Sequence, residues 1–382
     1  MNARERYRAT AGFGQPDRAF LIPPWAWDAT IVRWRKEGLP AGASLTEHFR
    51  TDTEADFPVA MQGPYGPHLL PPFPREVLSE TDQYVIVRDE EGNVVRLMRD
   101  DHSRSMPEWI EYPMKGRDDW ETIVKPRLTA TAPGRCPPGE ELDALVRRHA
   151  HRDYPLGLWA GSFYGWPRSL MGVERMSLML FDDPALIHEM CEHIADFVIE
   201  AVTPLLERLT FDFAFIWEDM AGKAGPLCSP AHYREFMLPP LKRVTALLHT
   251  RGVHSIIVDS DGNNDALVPL WLEVGVTGLR PFEAAAGSDP VASRRRYGRD
   301  LIIQGGIDKR ALARGKEAID REVLSKVPWL CMQGGYFPQI DHLVPPDVSL
   351  ESYEHYSTIV RAVVEDPERY LHEARQRGFW KE

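Results

Sequence analysis

The sequence predicts an α/β fold, a single (β/α)8 TIM-type barrel with an N-terminal extension that contains a β-hairpin. Two observations carry this. From residue 155 onward, short apolar runs alternate with longer amphipathic segments, the pattern of a parallel sheet covered on both faces. Neither G-x-G-x-x-G nor G-x-x-x-x-G-K-[ST] occurs, so an open nucleotide-binding sheet is the weaker reading.

The 382 residues suit one barrel with insertions, and 43% of them are hydrophobic, enough for a large core. The formal net charge is -12. A nucleic-acid binder needs a basic face, and only Arg294-Arg295-Arg296 resembles one; the triplet reads as the solvated side of a helix. No apolar run reaches the roughly 20 residues that span a bilayer. The opening residues lack the apolar segment of a secretory signal. Cys136, Cys191, Cys228 and Cys331 are far apart with no C-x-x-C pair, which argues against a disulfide framework and fits a reducing cytoplasm. The expectation is a cytoplasmic protein with a small-molecule substrate, no nucleic-acid or membrane partner, and room for a homodimer.

Residues 1–150 read as the N-terminal extension with the first barrel elements, and 151–382 as the main barrel portion with the active site. In the first part, Gly38 and Pro40 mark a helix end. Residues 84–88 and 94–98, joined by Asp89-Glu90-Glu91-Gly92-Asn93, read as a β-hairpin. A short helix follows near 120–128. In the second part the apolar runs are 156–160, 213–217, 255–258, 276–279, 301–304 and 335–337. The intervening segments 184–206, 230–250, 264–273, 289–297 and 309–327 read as helices.

Reactive residues of such a barrel collect where strands end and βα loops begin. Glu218 and Asp219 follow the second run; the plain structural alternative pairs Glu218 with Lys223 and caps a turn with Asp219. The third run ends in Asp259-Ser260-Asp261-Gly262-Asn263. Alternation puts Ile257, Asp259 and Asp261 on one face, and two carboxylates there become tolerable if a cation sits between them or one takes a proton. Asp261-Gly262 also reads as a simple turn. Arg280 and Glu283 put a cation and an acid near the same rim. Asp308 is most simply a helix N-cap. His342 lies in a loop with little apolar context, and Asp341 beside it is placed to orient the imidazole. A carboxylate-rich rim with one histidine suits an oxygen-preferring divalent metal, or zinc in an O/N site. A metal-free acid/base site is the alternative.

These residues carry a family resemblance. Residues 155–365 resemble the uroporphyrinogen decarboxylase superfamily in the order and spacing of five pieces. They are 215–226 with Ser229-Pro230 and Pro239-Pro240; the strand ending in D-x-D-G-N; Gln304-Gly305-Gly306-Ile307-Asp308; Gly334-Gly335-Tyr336 with Asp341-His342; and Pro345-Pro346-Asp347. The resemblance implies a (β/α)8 barrel and either porphyrinogen decarboxylation or zinc-dependent, corrinoid-linked methyl transfer. The arginine-bearing R-Q-A-G-R-Y-type motif of the decarboxylases is replaced by Pro23-Pro24-Trp25-Ala26-Trp27-Asp28, and the hairpin is similar to an extra region of the methyltransferase branch. That branch has H-x-C-G where this chain has Asp259-x-Asp261-Gly262, and a later thiolate near Asp341-His342. Its upstream metal-binding glutamate matches Glu218 best. Carboxylates in place of thiolates favour a harder ion than zinc.

The reading is therefore methyl transfer involving a corrinoid, supplied by a corrinoid protein, or a methoxy or methylated small molecule. A divalent metal (zinc or a harder ion) would be held by the catalytic set Glu218, Asp259, Asp261 and His342 and act as a Lewis acid. Trp25, Trp27, Trp159, Tyr164 and Trp166 are candidates for an aromatic wall, with core packing as their plain alternative. Asp219, Lys223, Arg280, Glu283 and Asp341 are the remaining substrate-binding candidates. The competing reaction is decarboxylation, with Arg280 and Lys223 on the carboxylate.

Overall fold

The computed structural model describes residues 1–62, 66–99 and 106–380. Its centre is a parallel sheet of seven strands that neighbour each other in chain order. They are β1 (Ala55–Asp56), β6 (Leu156–Trp159), β7 (Phe213–Trp217), β10 (Ser255–Asp259), β11 (Gly278–Arg280), β12 (Ile302–Gln304) and β13 (Tyr336–Phe337). Helices cross between successive strands, as right-handed βαβ units require, and the sheet curls into a (β/α)8-type barrel. The N-terminal segment covers the seam between β13 and β1. There Asp52 N–H donates to the Leu21 carbonyl, Gly335 N–H to Thr10, and Trp27 N–H to Val344.

The interior is set by strand alternation. Phe213, Phe215, Ile257, Ile302 and Phe337 point inward and form one buried cluster with Tyr7 and Phe20 from the N-terminal segment. Tyr7 closes the bottom, its hydroxyl 3.0 Å from Ser255 Oγ. Gly157 leaves the space that Phe213 fills; a Cβ there would lie 1.9 Å from the ring. The outward residues Ala214, Ile216, Ile256, Val258 and Ile303 pack beneath the helices in the larger core.

The expected hairpin forms as β3 (Tyr84–Arg88) and β4 (Val94–Met98), in register Tyr84↔Met98 to Arg88↔Val94. Two strands the sequence did not reveal, β2 (Glu76–Glu80) and β5 (Glu108–Glu111), extend it to a four-stranded antiparallel sheet. A further short hairpin, β8 (Ala221–Gly222) with β9 (Gly225–Pro226), sits in the loop after β7. The helix at 184–206 forms over the expected residues, capped by Asp183. The segment 309–327 breaks at Gly315 into Lys309–Leu312 and Lys316–Leu324. Asp308 is the N-cap expected, accepting from Arg310 N–H.

The basic triplet divides. Arg295 and Arg296 are exposed on a helix as expected, but Arg294 is buried and donates to the carbonyls of Gly298, Leu301 and Gly335. Among the described residues no helix is long and apolar enough to cross a membrane.

Candidate active site

Glu218 departs furthest from expectation. It continues the outward parity of Ala214 and Ile216, so it turns away from the barrel interior and is fully buried. Its carboxylate accepts from the backbone N–H groups of Tyr164 (2.8 Å), Phe163 (3.2 Å) and Gly165 (3.3 Å). It also accepts from the hydroxyls of Ser162 (3.2 Å) and Tyr233 (3.0 Å), and Tyr233 accepts from Trp271 Nε1. Burial pushes its pKa up, and the donors oppose that rise. Glu218 braces the loop after β6 and has no face toward the mouth.

The two carboxylates of the D-x-D end do not share a cation. Asp259 takes Arg280, whose Nη2 and Nε lie 2.6 and 3.0 Å from one carboxylate oxygen. The register Asp259↔Arg280 across β10 and β11 sets this contact. The Arg280 guanidinium also lies 3.7 Å from the centre of the Phe215 ring and 5.7 Å from that of Trp159, a cation–π arrangement inside the barrel. Asp261 takes His342 instead, with Nε2 3.3 Å from the carboxylate. Burial alone would lower the His342 pKa, but the Asp261 carboxylate outweighs it and the net direction is up. Trp25 lies against the imidazole, ring centres 5.7 Å apart.

Asp341 does not orient His342. Its buried carboxylate accepts from Ala284 N–H (2.9 Å) and Lys309 N–H (3.1 Å), which ties two loops together. Glu283 accepts from Gly262 N–H at 3.1 Å and lies 4.0 Å from Lys309 Nζ. Asp219 pairs with Arg168 at 2.9 Å rather than pointing freely into the mouth. Its φ of 38° is in the left-handed region, where a non-glycine residue costs strain and where functional sites concentrate. The turn is held because Glu218 and Asp219 N–H both donate to the Asp259 carbonyl. Gly262 is required: its φ is +80°, and a Cβ would lie 2.4 Å from the Ala221 carbonyl oxygen. Lys223 is exposed in the β8–β9 hairpin.

The aromatic candidates divide. Tyr164 and Trp166 are fully buried core, Trp166 donating to Gln62 at 2.8 Å. Trp159 and Trp27 are half-buried and Trp25 is exposed; Trp159 packs against the interior cluster.

Two acids that sequence reasoning missed stand at β1, Asp56 in it and Glu54 immediately before it. Ala55 packs outward, so Glu54 and Asp56 face the interior. Burial pushes Glu54 up to about 7, with the neighbouring Asp56 charge adding to the rise and Arg280 opposing it. Burial raises Asp56 as well, against Arg280 and Trp159. Glu54 is half-buried and Asp56 is exposed. A cavity of about 480 Å³ lined by Phe13, His254, Thr277, Arg299 and Ile302 lies at the opposite, N-terminal end of the strands, away from where barrel chemistry collects.

The expected metal set does not fit. Glu218 is spent on five donors and Asp259 on Arg280, leaving only the Asp261–His342 pair. Among the described residues no three His, Cys, Asp or Glu side chains are gathered to hold a metal ion. What the strands do present is Glu54 and Asp56 beside β6, the Asp259–Arg280 ion pair against the Phe215 ring, and the Asp261–His342 pair at the strand ends.

Comparison with known proteins agrees with this architecture. The uroporphyrinogen decarboxylase from Hydrogenovibrio crunogenus is 23% identical over 276 residues, covering 68% of this chain and 72% of its own. That from Rhodococcus erythropolis is 30% identical over 158 residues, 39% of each chain. The Methylococcus capsulatus enzyme is 25% identical over 195 residues, 50% of this chain and 52% of its own. The chain thus spans about half or less of the latter two. A methyltransferase from Methanosarcina mazei superposes with a TM-score of 0.58 at 13% identity, over 95% of this chain and 99% of that one, a likeness of fold. The profile of the uroporphyrinogen decarboxylase (URO-D) family matches residues 100–363. That span holds six of the seven barrel strands and every rim residue from Trp159 to His342, and the chain belongs to the uroporphyrinogen decarboxylase family.

Proposed function

We propose that this enzyme transfers a methyl group from a neutral or cationic methylated small molecule to a reduced corrinoid acceptor, with Glu54 as general acid and no metal held by the rim carboxylates. The reading rests on the placement of Glu54, which strand alternation directs into the barrel interior next to Asp56 and within reach of the Arg280 charge, where burial pushes its pKa up to about 7. A carboxyl at that pKa is partly protonated at neutral pH and suited to give its proton to a departing group.

In the step, the acceptor's electron pair forms a bond to the methyl carbon. The bond from that carbon to oxygen or nitrogen breaks, and the Glu54 proton passes to the leaving heteroatom when that atom is basic enough to take it. Glu54 is left as a carboxylate and is reprotonated from solvent through the mouth. Trp159 and Phe215 supply an apolar wall, and the Asp259–Arg280 pair is internally neutral. Glu54, Asp56 and Asp259 outnumber Arg280 there, which disfavours a polyanionic substrate. The methyltransferase name of the structural neighbour supports the same reading. Four unbridged cysteines fit a reducing cytoplasm.

A second reading, decarboxylation, is favoured by the names of the sequence relatives and by Arg280, a carboxylate partner in the interior. Glu54 would then protonate the carbon that carbon dioxide leaves.

The test is single-turnover loss of cob(I)alamin absorbance with aryl methyl ethers and methylated amines, in chelator. Methyl transfer by wild type and a loss of about 10²–10⁴-fold in Glu54→Gln is expected. Full rate in the variant, or carbon dioxide release with no methyl transfer, overturns it.

A further inference from the structure

Gln304 is an interior polar side chain that neither the ion pairs nor the proposed acid use. Ile302 belongs to the inward cluster and Ile303 to the outer core, so Gln304 is the next inward position on β12. The ladder pairs Leu279 with Ile303, which puts Gln304 beside Arg280 in register, and it pairs directly with inward Phe337. The side chain is 2% exposed, and its amide oxygen is buried without a hydrogen-bond partner. Its neighbours Asp259 and Arg280 keep 16% and 18% side-chain exposure, so the mouth reaches this part of the interior.

The position is preset. Gly305 N–H donates to Phe337 O at 3.1 Å and Gly306 N–H to Pro281 O at 3.0 Å, so both residues after Gln304 are fixed to adjacent strands. Buried amides are almost always paired, because an unmet acceptor in the interior costs the full desolvation of that group. The Asp259–Arg280 pair is already satisfied and leaves Gln304 unserved. A ligand donor is what would complete it.

We infer that the Gln304 amide is a substrate-binding group, and that the substrate carries a neutral hydrogen-bond donor, a hydroxyl or an N–H, in addition to its methylated atom. This rests on the methyl-transfer reading for the identity of the reacting group. The recognition itself is separable: it is read by binding, whereas that reading is tested by turnover. A neutral amide discriminates by hydrogen bonding, and a site built to meet such a donor rejects the analogue that lacks it more strongly than an apolar wall rejects an extra methylene.

The probes are 2-methoxyphenol and methoxybenzene, which differ by one hydroxyl, titrated by calorimetry into wild type, Gln304→Leu and Gln304→Glu. The expected result is that wild type prefers the phenol by about tenfold or more and that Gln304→Leu binds both alike without a lower unfolding temperature. Gln304→Glu keeps an acceptor and retains the preference. A merely structural amide would instead lower stability on removal and weaken both probes equally, and that result overturns the inference. So does an undiminished preference in Gln304→Leu, or no binding of either probe to wild type. Retained preference with no methyl transfer by wild type would sink the reaction proposed above and leave this recognition standing.

Discussion

Removing the Glu218 carboxylate should destabilise the protein with or without metal. In Glu218→Ala, three backbone N–H groups, those of Phe163, Tyr164 and Gly165, lose their acceptor in a site closed to solvent. The hydroxyls of Ser162 and Tyr233 are less exposed to this loss, because each already accepts from an indole or backbone N–H and can rotate its own proton elsewhere. Each stranded N–H costs about 1–3 kcal/mol, and water entering the vacated space recovers part of it. The net loss is then on the order of 3 kcal/mol or more, a large share of the 5–15 kcal/mol that domains typically have. Urea unfolding read by tryptophan fluorescence measures it: at a slope of about 1–3 kcal/mol per molar, the midpoint falls by at least about 1 M. Glu218→Gln keeps one acceptor oxygen and should fall between the two. If Glu218 served a metal, its loss would cost little in chelator and appear only as lost metal. A Glu218→Ala midpoint equal to wild type in chelator would refute the bracing role.

Four further outcomes follow from the same geometry. With Glu54 at about 7, turnover that needs its proton should be flat below that pH and fall about tenfold per unit above it; the fall should be absent from the residual rate of Glu54→Gln. The folded-state pKa is above the usual 4.5, so the native state also loses stability as pH rises from 4.5 through about 7, and the Gln variant should lack that slope in pH-dependent unfolding. In Asp261→Asn, His342 loses the carboxylate that lifts it, and burial then takes its pKa below the usual 6.5, which NMR titration of the imidazole reads directly. Gly262→Ala forces a left-handed alanine against the Ala221 carbonyl and should cost about 1–3 kcal/mol, measured as a lower urea midpoint.

Much of this was legible in the sequence because it is local. Fully apolar strands followed by long amphipathic segments announce a barrel, and the turn around Gly92 announces β3 and β4. Asp261 was picked from the parity of the D-x-D strand end and His342 from a loop with little apolar context, both supported by the family resemblance, and they do meet. Glu218 was misplaced by reading adjacency instead of parity. Alternation along β7 makes Trp217 inward and Glu218 outward, the same rule that put Asp259 on the inner face, and its application one strand earlier would have moved Glu218 behind the sheet. The choice of Arg280 as the partner of Asp259 depends on ladder register between two strands 21 residues apart in sequence, which no local pattern encodes.

Glu54 and Asp56 were missed for a different reason, and it bears on how the enzyme is built. β1 is two residues long, sits in Thr-Glu-Ala-Asp-Phe-Pro, and has no apolar run to announce it. A strand of that length holds its place only by docking on β6, where Ala55 pairs with Leu156 and Asp56 with Gly157. Its polarity follows from position: Asp56 and the preceding Glu54 face an interior enclosed enough to raise both carboxyls. The acid that the proposed chemistry needs is therefore contributed by a residue before 150, whereas the ion pair and the imidazole follow it. The barrel residues after 150 supply walls, the ion pair and the imidazole. The N-terminal segment closes the bottom through Tyr7, and in the proposed reaction it also supplies the proton through Glu54, which would make the irregular first part of the chain a working part of the site.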